Sequence, residues 1–159
     1  DTATATQQIQ VTDGADPSIA PVDTSVNESD LGSNVTLGTT SVTGSLGITK
    51  GTDDIANTVF TATQTALEAL GLTSGGTPLS YAVSADGYTI TATAGATEVF
   101  TVVLNSPTDI IGVTQSYTFT LKAPIDHTQP TNDLSWDLPF EVSVYDSDNA
   151  NGIDGDDDA

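Results

Sequence analysis

The chain has 159 residues, enough for one domain with a proper core, and sets 22 acidic side chains against two lysines for a formal net charge of −20. Two cations build no basic patch, which excludes nucleic acid and anionic membrane surfaces as electrostatic partners and leaves divalent cations as the natural complement. There is no cysteine, so neither a disulfide framework nor a thiolate metal site is available, and no apolar run approaches the ~18 residues of a membrane span.

TATATQQIQV (Thr2 to Val11) alternates small or apolar residues with Thr and Gln, as a half-buried strand does. No signal peptide precedes it, and the expectation is a segment cut from a longer protein. TDGADP then places Asp13 and Asp16 in a turn, and NESD adds Glu28 and Asp30. NVTLGTTSV (Asn34 to Val42) is a weaker strand candidate, and GTDD supplies Asp53 and Asp54.

The period changes in TATQTALEALGL (Thr61 to Leu72), where Ala66, Leu67 and Leu70 share one face at helical spacing. Thr61 and Gln64 read as a capping box and Gly71 as the C-terminal stop, which predicts one short helix over about 61–70. Alternation then resumes in LSYAVSA (Leu79 to Ala85), YTITATA (Tyr88 to Ala94), VFTVVL (Val99 to Leu104), SYTFTL (Ser116 to Leu121) and FEVSVY (Phe140 to Tyr145). TSGGTP, SADGY and NSPTD separate the runs, and Asp86-Gly87 is a hairpin signal. Many short strands and one helix predict an all-β fold, an immunoglobulin-like antiparallel β-sandwich. Residues 1–159 then form a single module, with residues 146–159 as an acidic loop or linker.

That loop, DSDNANGIDGDDDA, holds six aspartates. Asp146, Asp148, Asn151, Asp154, Asp156 and Asp158 sit mostly at alternate positions with Gly152 and Gly155 between them, a spacing that turns oxygens toward one hard cation. The helix–loop–helix calcium pattern fails, because Ala150 takes its fifth position and no glutamate closes it. The bland reading is a solvated acidic tail. Asp13, Asp16 and Glu28 form a second candidate site if their turns meet at one pole, against ordinary Asp-Gly and Asp-Pro turn chemistry. Asp53 and Asp54 are a weaker third.

Enzyme readings find little support. His127, in PIDHTQPTND, is the one histidine, and no nucleophile-elbow sequence accompanies it. The four glutamates show no pairing of the glycosidase kind. Thr-x-Thr runs suggest an ice-binding rank only if repeated on adjacent strands; they occur here in two strands far apart, and exposed threonines on alternating strands explain them better. Trp136 in LSWDLPF is a candidate sugar platform, against edge or core packing.

VTDGADP, NTVFTATQTALEALGLTSGGTPLSY, YTFTLKAPIDH and FEVSVYDSD together resemble a repeat module of giant bacterial RTX adhesins exported by type I secretion. The resemblance runs over almost the whole chain. It implies immunoglobulin-like sandwiches strung in tandem and rigidified by Ca2+ at their junctions. It also makes Asp1 to Val11 look like the strand that would follow Ala159 in a next copy. Where the usual module closes with a short D-x-D-G-D-T loop, this chain has the expanded run from Asp146. The expectation is therefore a non-enzymatic, calcium-stabilised extender of a secreted cell-surface adhesin, in the setting of cell adhesion and biofilm. Its partners would be neighbouring modules of the same adhesin, without nucleic acid or membrane insertion, and the isolated module would be monomeric. The alternative is a ligand-binding adhesin head that holds a sugar or peptide through calcium or Trp136.

Overall fold

Alternation between apolar and hydroxyl side chains makes strands that bury one face, and the computed structural model shows them across residues 16–32, 38–51, 54–108, 114–127 and 135–146, which are those it describes. The strands are β1 (Thr40–Ser45), β2 (Ile55–Thr61), β3 (Thr73–Ser74), β4 (Thr77–Val83), β5 (Thr89–Ala94), β6 (Thr97–Asn105), β7 (Ser116–Leu121) and β8 (Glu141–Asp146). One helix, α1 (Thr63–Glu68), and a 3-10 turn at Glu28–Leu31 complete the set. Six strands form an antiparallel sheet in the order β1-β7-β6-β5-β4-β3, and β2 pairs with β8 in a second sheet. The fold is all-β and sandwich-like with one short helix. The runs expected at 88–94, 99–104, 116–121 and 140–145 are β5 to β8.

Between the sheets lies one core. Ile90, Ala92, Val99, Phe100 and Val102 of β5 and β6 are fully enclosed, as are Leu67 of α1 and Val144 of β8. Phe60 from β2 and Phe140 ahead of β8 meet in a tilted pair at 6.4 Å, and Phe140 also meets Phe119 of β7 at 6.4 Å, which carries aromatic contact from one sheet to the other. Each large apolar side chain buried here contributes about 1.5–3 kcal/mol before chain entropy is subtracted.

The opposite face of the large sheet is a field of hydroxyls. Cross-strand register aligns Thr91, Thr101, Thr120 and Ser41 in one rank, and Thr89, Val103, Thr118 and Thr43 in the next. The hydroxyls bond one another: Thr43 lies 3.1 Å from Thr118, and Asn105 donates to Ser116 and Thr118 at 3.2 and 2.9 Å. Hydroxyl-bearing runs far apart in sequence are thus brought onto adjacent strands.

The two sheets are tied at one pole. The Phe60 amide donates to Gly87 O at 2.9 Å, Tyr88 donates to Asn57 Oδ1 at 2.8 Å, and Gln115 reaches the buried Thr58 hydroxyl at 3.4 Å. Gly87 turns the β4–β5 hairpin with φ +77, and a Cβ there would stand 2.9 Å from Val59 Cβ. Asp86-Gly87 therefore turns the chain where the sequence predicts, and the tip also docks on the second sheet.

Several expectations change. β2 was not foreseen, because a register shift between Ile55 and Asn57 breaks its alternation and leaves no clean two-residue pattern. The capping box does not form. Thr61 remains in β2, Ala62 takes the left-handed conformation (φ 44) at the N-cap with no side-chain cap, and the helix is only Thr63–Glu68. The Thr61 hydroxyl, which the cap would have used, instead bonds Glu141 Oε1 at 3.2 Å and Ser143 Oγ at 3.0 Å, and Thr63 accepts from the Glu141 amide at 2.8 Å, so β8 takes up both hydroxyls. Leu67 is buried and Leu70 half-buried, but Ala66 is exposed. Gly71, with φ +60, does end the helical turn. The weak candidate at 34–42 appears as Thr40–Ser45; residues 33–37 lie outside the described residues, as does Thr2 to Val11.

Candidate functional site

Both ends of the large sheet carry chemistry. β1 and β8 run toward one pole, where Asp146 pairs with Ile55 as the last residue of β8. The acidic run departs from there, and Asp148, Asn151, Asp154, Asp156 and Asp158 lie outside the described residues. The donors in that run are carboxylate, amide and backbone oxygens, with no imidazole or thiolate, a set that suits a hard cation such as calcium. The incoming chain meets the same pole. Ser18 exchanges backbone hydrogen bonds with Thr49 at 2.9 and 2.8 Å, and Val22 donates to Ser45 O at 3.0 Å. Exposed Asp16 immediately precedes this pairing, and Asp13 lies outside the described residues.

Glu28 sits at the opposite pole, beyond the end of β7, so the structure does not bring Asp16 and Glu28 together. Glu28 Oε1 accepts from the Ile125 amide at 2.7 Å and stands 3.5 Å from His127 Nε2. The next residue, Asp126, organises this pole. Its carboxylate accepts from Gly76 N at 2.8 Å, Thr73 Oγ1 at 2.7 Å and Gly75 N at 3.1 Å, gathering the TSGG turn between β3 and β4. Those bonds, the Gly76 amide and Thr73 hydroxyl foremost, hold its pKa below the ordinary carboxylate value. Sequence reasoning passed over Asp126 because its partners are some fifty residues away and leave no local signal.

His127 stacks on Trp136 with centroids 6.3 Å apart and planes at 24°, while the indole donates to Asp126 O at 3.4 Å. Trp136 is half-buried and packs on the core. With the ring half-buried and the N–H used, the arrangement is of the edge-packing kind. Asp30 is exposed on the 3-10 turn.

The two lysines lie at opposite poles, and Lys50, next to Thr49, is the one at the pole where the acidic run begins. Lys122 pairs with Glu98 across neighbouring strands, and Lys50 pairs with Asp54 four residues on. Asp53 lies outside the described residues. Among the described residues no group of three or more His, Asp or Glu gathers around a metal position, and no helix is long and apolar enough to cross a membrane. Compared with known proteins, the chain matches no family model, no curated protein and no solved structure.

Proposed function

We propose that the protein is a calcium-stabilised structural module: an extender of a secreted, bacterial cell-surface adhesin of the RTX kind. It would space ligand-binding domains away from the cell and make no chemical turnover. The observation that carries this reading is the exit of β8. A strand anchored by Val144 in the core ends at Asp146 and leads directly into five more aspartates, against which the same pole sets one lysine, Lys50, while Lys122 pairs with Glu98 at the other. Close-set carboxylates repel one another unless a cation sits among them, so divalent binding would convert the run from a repulsive linker into a fixed joint toward a neighbouring module. In calcium-poor cytosol the chain would stay loose enough for type I export, and it would stiffen outside. The adhesin-head alternative has less support, since Trp136 is half-buried and its indole N–H already donates to Asp126 O.

Thermal unfolding followed by circular dichroism tests the proposal in millimolar calcium, in excess chelator and in magnesium. One site at a hundredfold excess over its dissociation constant adds about 2.7 kcal/mol, so several sites raise Tm by many degrees in calcium alone. Identical curves with calcium and with chelator would sink the reading.

A further inference from the structure

We propose that Asn57 is a positioning residue for the exit of β8, and that its hydrogen bond to Tyr88 couples the joint beyond Asp146 to the large sheet. β8 is held in its sheet by β2, so whatever fixes the end of β2 fixes where β8 stops. That end is irregular. Tyr145 pairs with Asn57 but Asp146 pairs with Ile55, which leaves Ala56 as an extra residue. A bulge of this kind bends the strand and shifts which side chains face inward. Phe60 and Thr58 are buried in alternation, and the next residue enclosed is Ile55 in place of Ala56. The competing arrangement is a straight ladder, which would set Ala56 against Asp146 and turn Ile55 outward.

Asn57 supplies the bonds that favour the bulge. Its Oδ1 accepts from Thr58 N at 2.9 Å and from the Tyr88 hydroxyl at 2.8 Å. A backbone N–H can only donate, so the oxygen of the amide and not its nitrogen faces these partners. In an antiparallel ladder, pairs that exchange hydrogen bonds alternate with pairs whose backbone groups point apart. Thr58 and Phe60 are of the second kind, and both of their amides are used, Thr58 by Asn57 Oδ1 and Phe60 by Gly87 O at 2.9 Å. Asn57 is the one of these contacts nearest the exit. Its bond to Tyr88 therefore links the register at Asp146 to the hairpin that opens β5. Ions that fix the chain beyond Asp146 favour the register in which Asp146 meets Ile55, and so favour the Asn57–Tyr88 bond. By linkage, a chain that keeps this bond holds those ions more tightly. The ion dependence rests on the calcium function proposed above, whereas the register does not. A residue that merely adds stability would leave the calcium increment unchanged, since that increment depends on the dissociation constant and the ion concentration alone.

Calorimetric titration of the whole chain with calcium chloride tests the coupling in the parent, in Tyr88→Phe, in Asn57→Ala, in the double variant, and in Asp126→Asn, which removes bonds at the opposite pole. Either single variant should weaken calcium binding about 2- to 10-fold, the range one hydrogen bond supports. The double variant should bind no more weakly than the singles, and Asp126→Asn should bind as the parent does. In chelator, NMR should show faster amide exchange at Thr58 and Tyr145 in Asn57→Ala, and weaker nuclear Overhauser contacts between Ile55 and Asp146, while Ile90 and Val102 stay slow. Unchanged calcium affinity in both single variants overturns the coupling. So does an equal loss in Asp126→Asn, or additive losses in the double variant. A parent that binds no calcium refutes the function proposed above, and the measurements in chelator then decide: Tyr145 exchange and an Ile55–Asp146 contact untouched by Asn57→Ala overturn the positioning. If Asn57→Ala fails to fold, Tyr88→Phe, which keeps the ring, carries both measurements.

Discussion

Removing the Tyr81 hydroxyl should stabilise the protein. Tyr81 is 6% exposed, its ring lies 6.1 Å from that of Phe100, and its hydroxyl, with no accessible surface, has no hydrogen-bond partner among the described residues. A buried polar group left unpaired costs about 1–3 kcal/mol, whereas phenylalanine keeps the ring and every apolar contact. Tyr81→Phe is therefore expected to gain about 1 kcal/mol, which for a domain of this size is a rise in Tm of about 2–4 °C. Urea denaturation of both proteins gives the comparison, with an unchanged slope showing that the same surface unfolds. Alkaline pH supplies a second readout. Burial, and then the nearby Glu68 charge, raise the Tyr81 pKa above its ordinary 10.0. A raised folded-state pKa means that the protonated form is favoured by folding. That stability is complete below pH 10 and fades as pH climbs through the folded value. Tyr81→Phe should flatten this alkaline limb. A less stable variant, or one with an unchanged alkaline limb, would refute the reasoning and show that the hydroxyl is satisfied.

Gly87→Ala should destabilise by about 1–3 kcal/mol, since it combines a positive φ with a Cβ pressed against Val59; chemical denaturation measures it, and a neutral result would mean that the hairpin tip does not dock on β2. Leu67→Ala should lose about 2–5 kcal/mol by opening a cavity under α1, whereas Ala66→Ser on the exposed side should stay within about 0.5 kcal/mol in the same assay. Asp126→Asn should weaken the protein at neutral pH and change its acid limb. The Asp126 pKa is lowered in the fold, so its contribution is present above the ordinary value of 3.8 and is lost as pH falls through the lower folded value. An acid titration followed by tryptophan fluorescence should show that loss in the parent and not in the variant.

The large sheet was legible because one face is buried and the other wet. In SYTFTL each apolar residue has a threonine or serine beside it, so burial writes itself as alternation. β2 was not legible, because a bulge near Ile55 shifts the pattern and because Thr58, a polar residue, is wholly buried against Gln115. The helix was legible from Leu67 and Gly71, but its start was not. Thr63 is drawn into bonds with Glu141, a partner 78 residues away, and local capping rules carry no information about such a partner. Asp126 and Trp136 show the same limit of local reading from the functional side, since turn residues at 73–76 and a loop at 124–127 form one unit only after the sheet has closed.

Where the charge lies follows from the same geometry. The ranks led by Thr91 and Thr89 carry no ionised group, although the chain as a whole has a net charge of −20. Like charges facing each other across adjacent strands would destabilise the sheet, and hydroxyls that bond one another, as Thr43 and Thr118 do, avoid that penalty while keeping the face wet. Acidic residues therefore accumulate in turns and after the last strand. With six of the 22 acidic side chains in the run from Asp146, ionic conditions should act more on the exit from the sandwich than on the hydroxyl face. On this account added calcium should change exchange and stability most around Asp146 and Ile55 and least at Thr101 and Thr120. A response spread evenly over the sheet would mean that the ions act through the whole field of the protein and not at a joint.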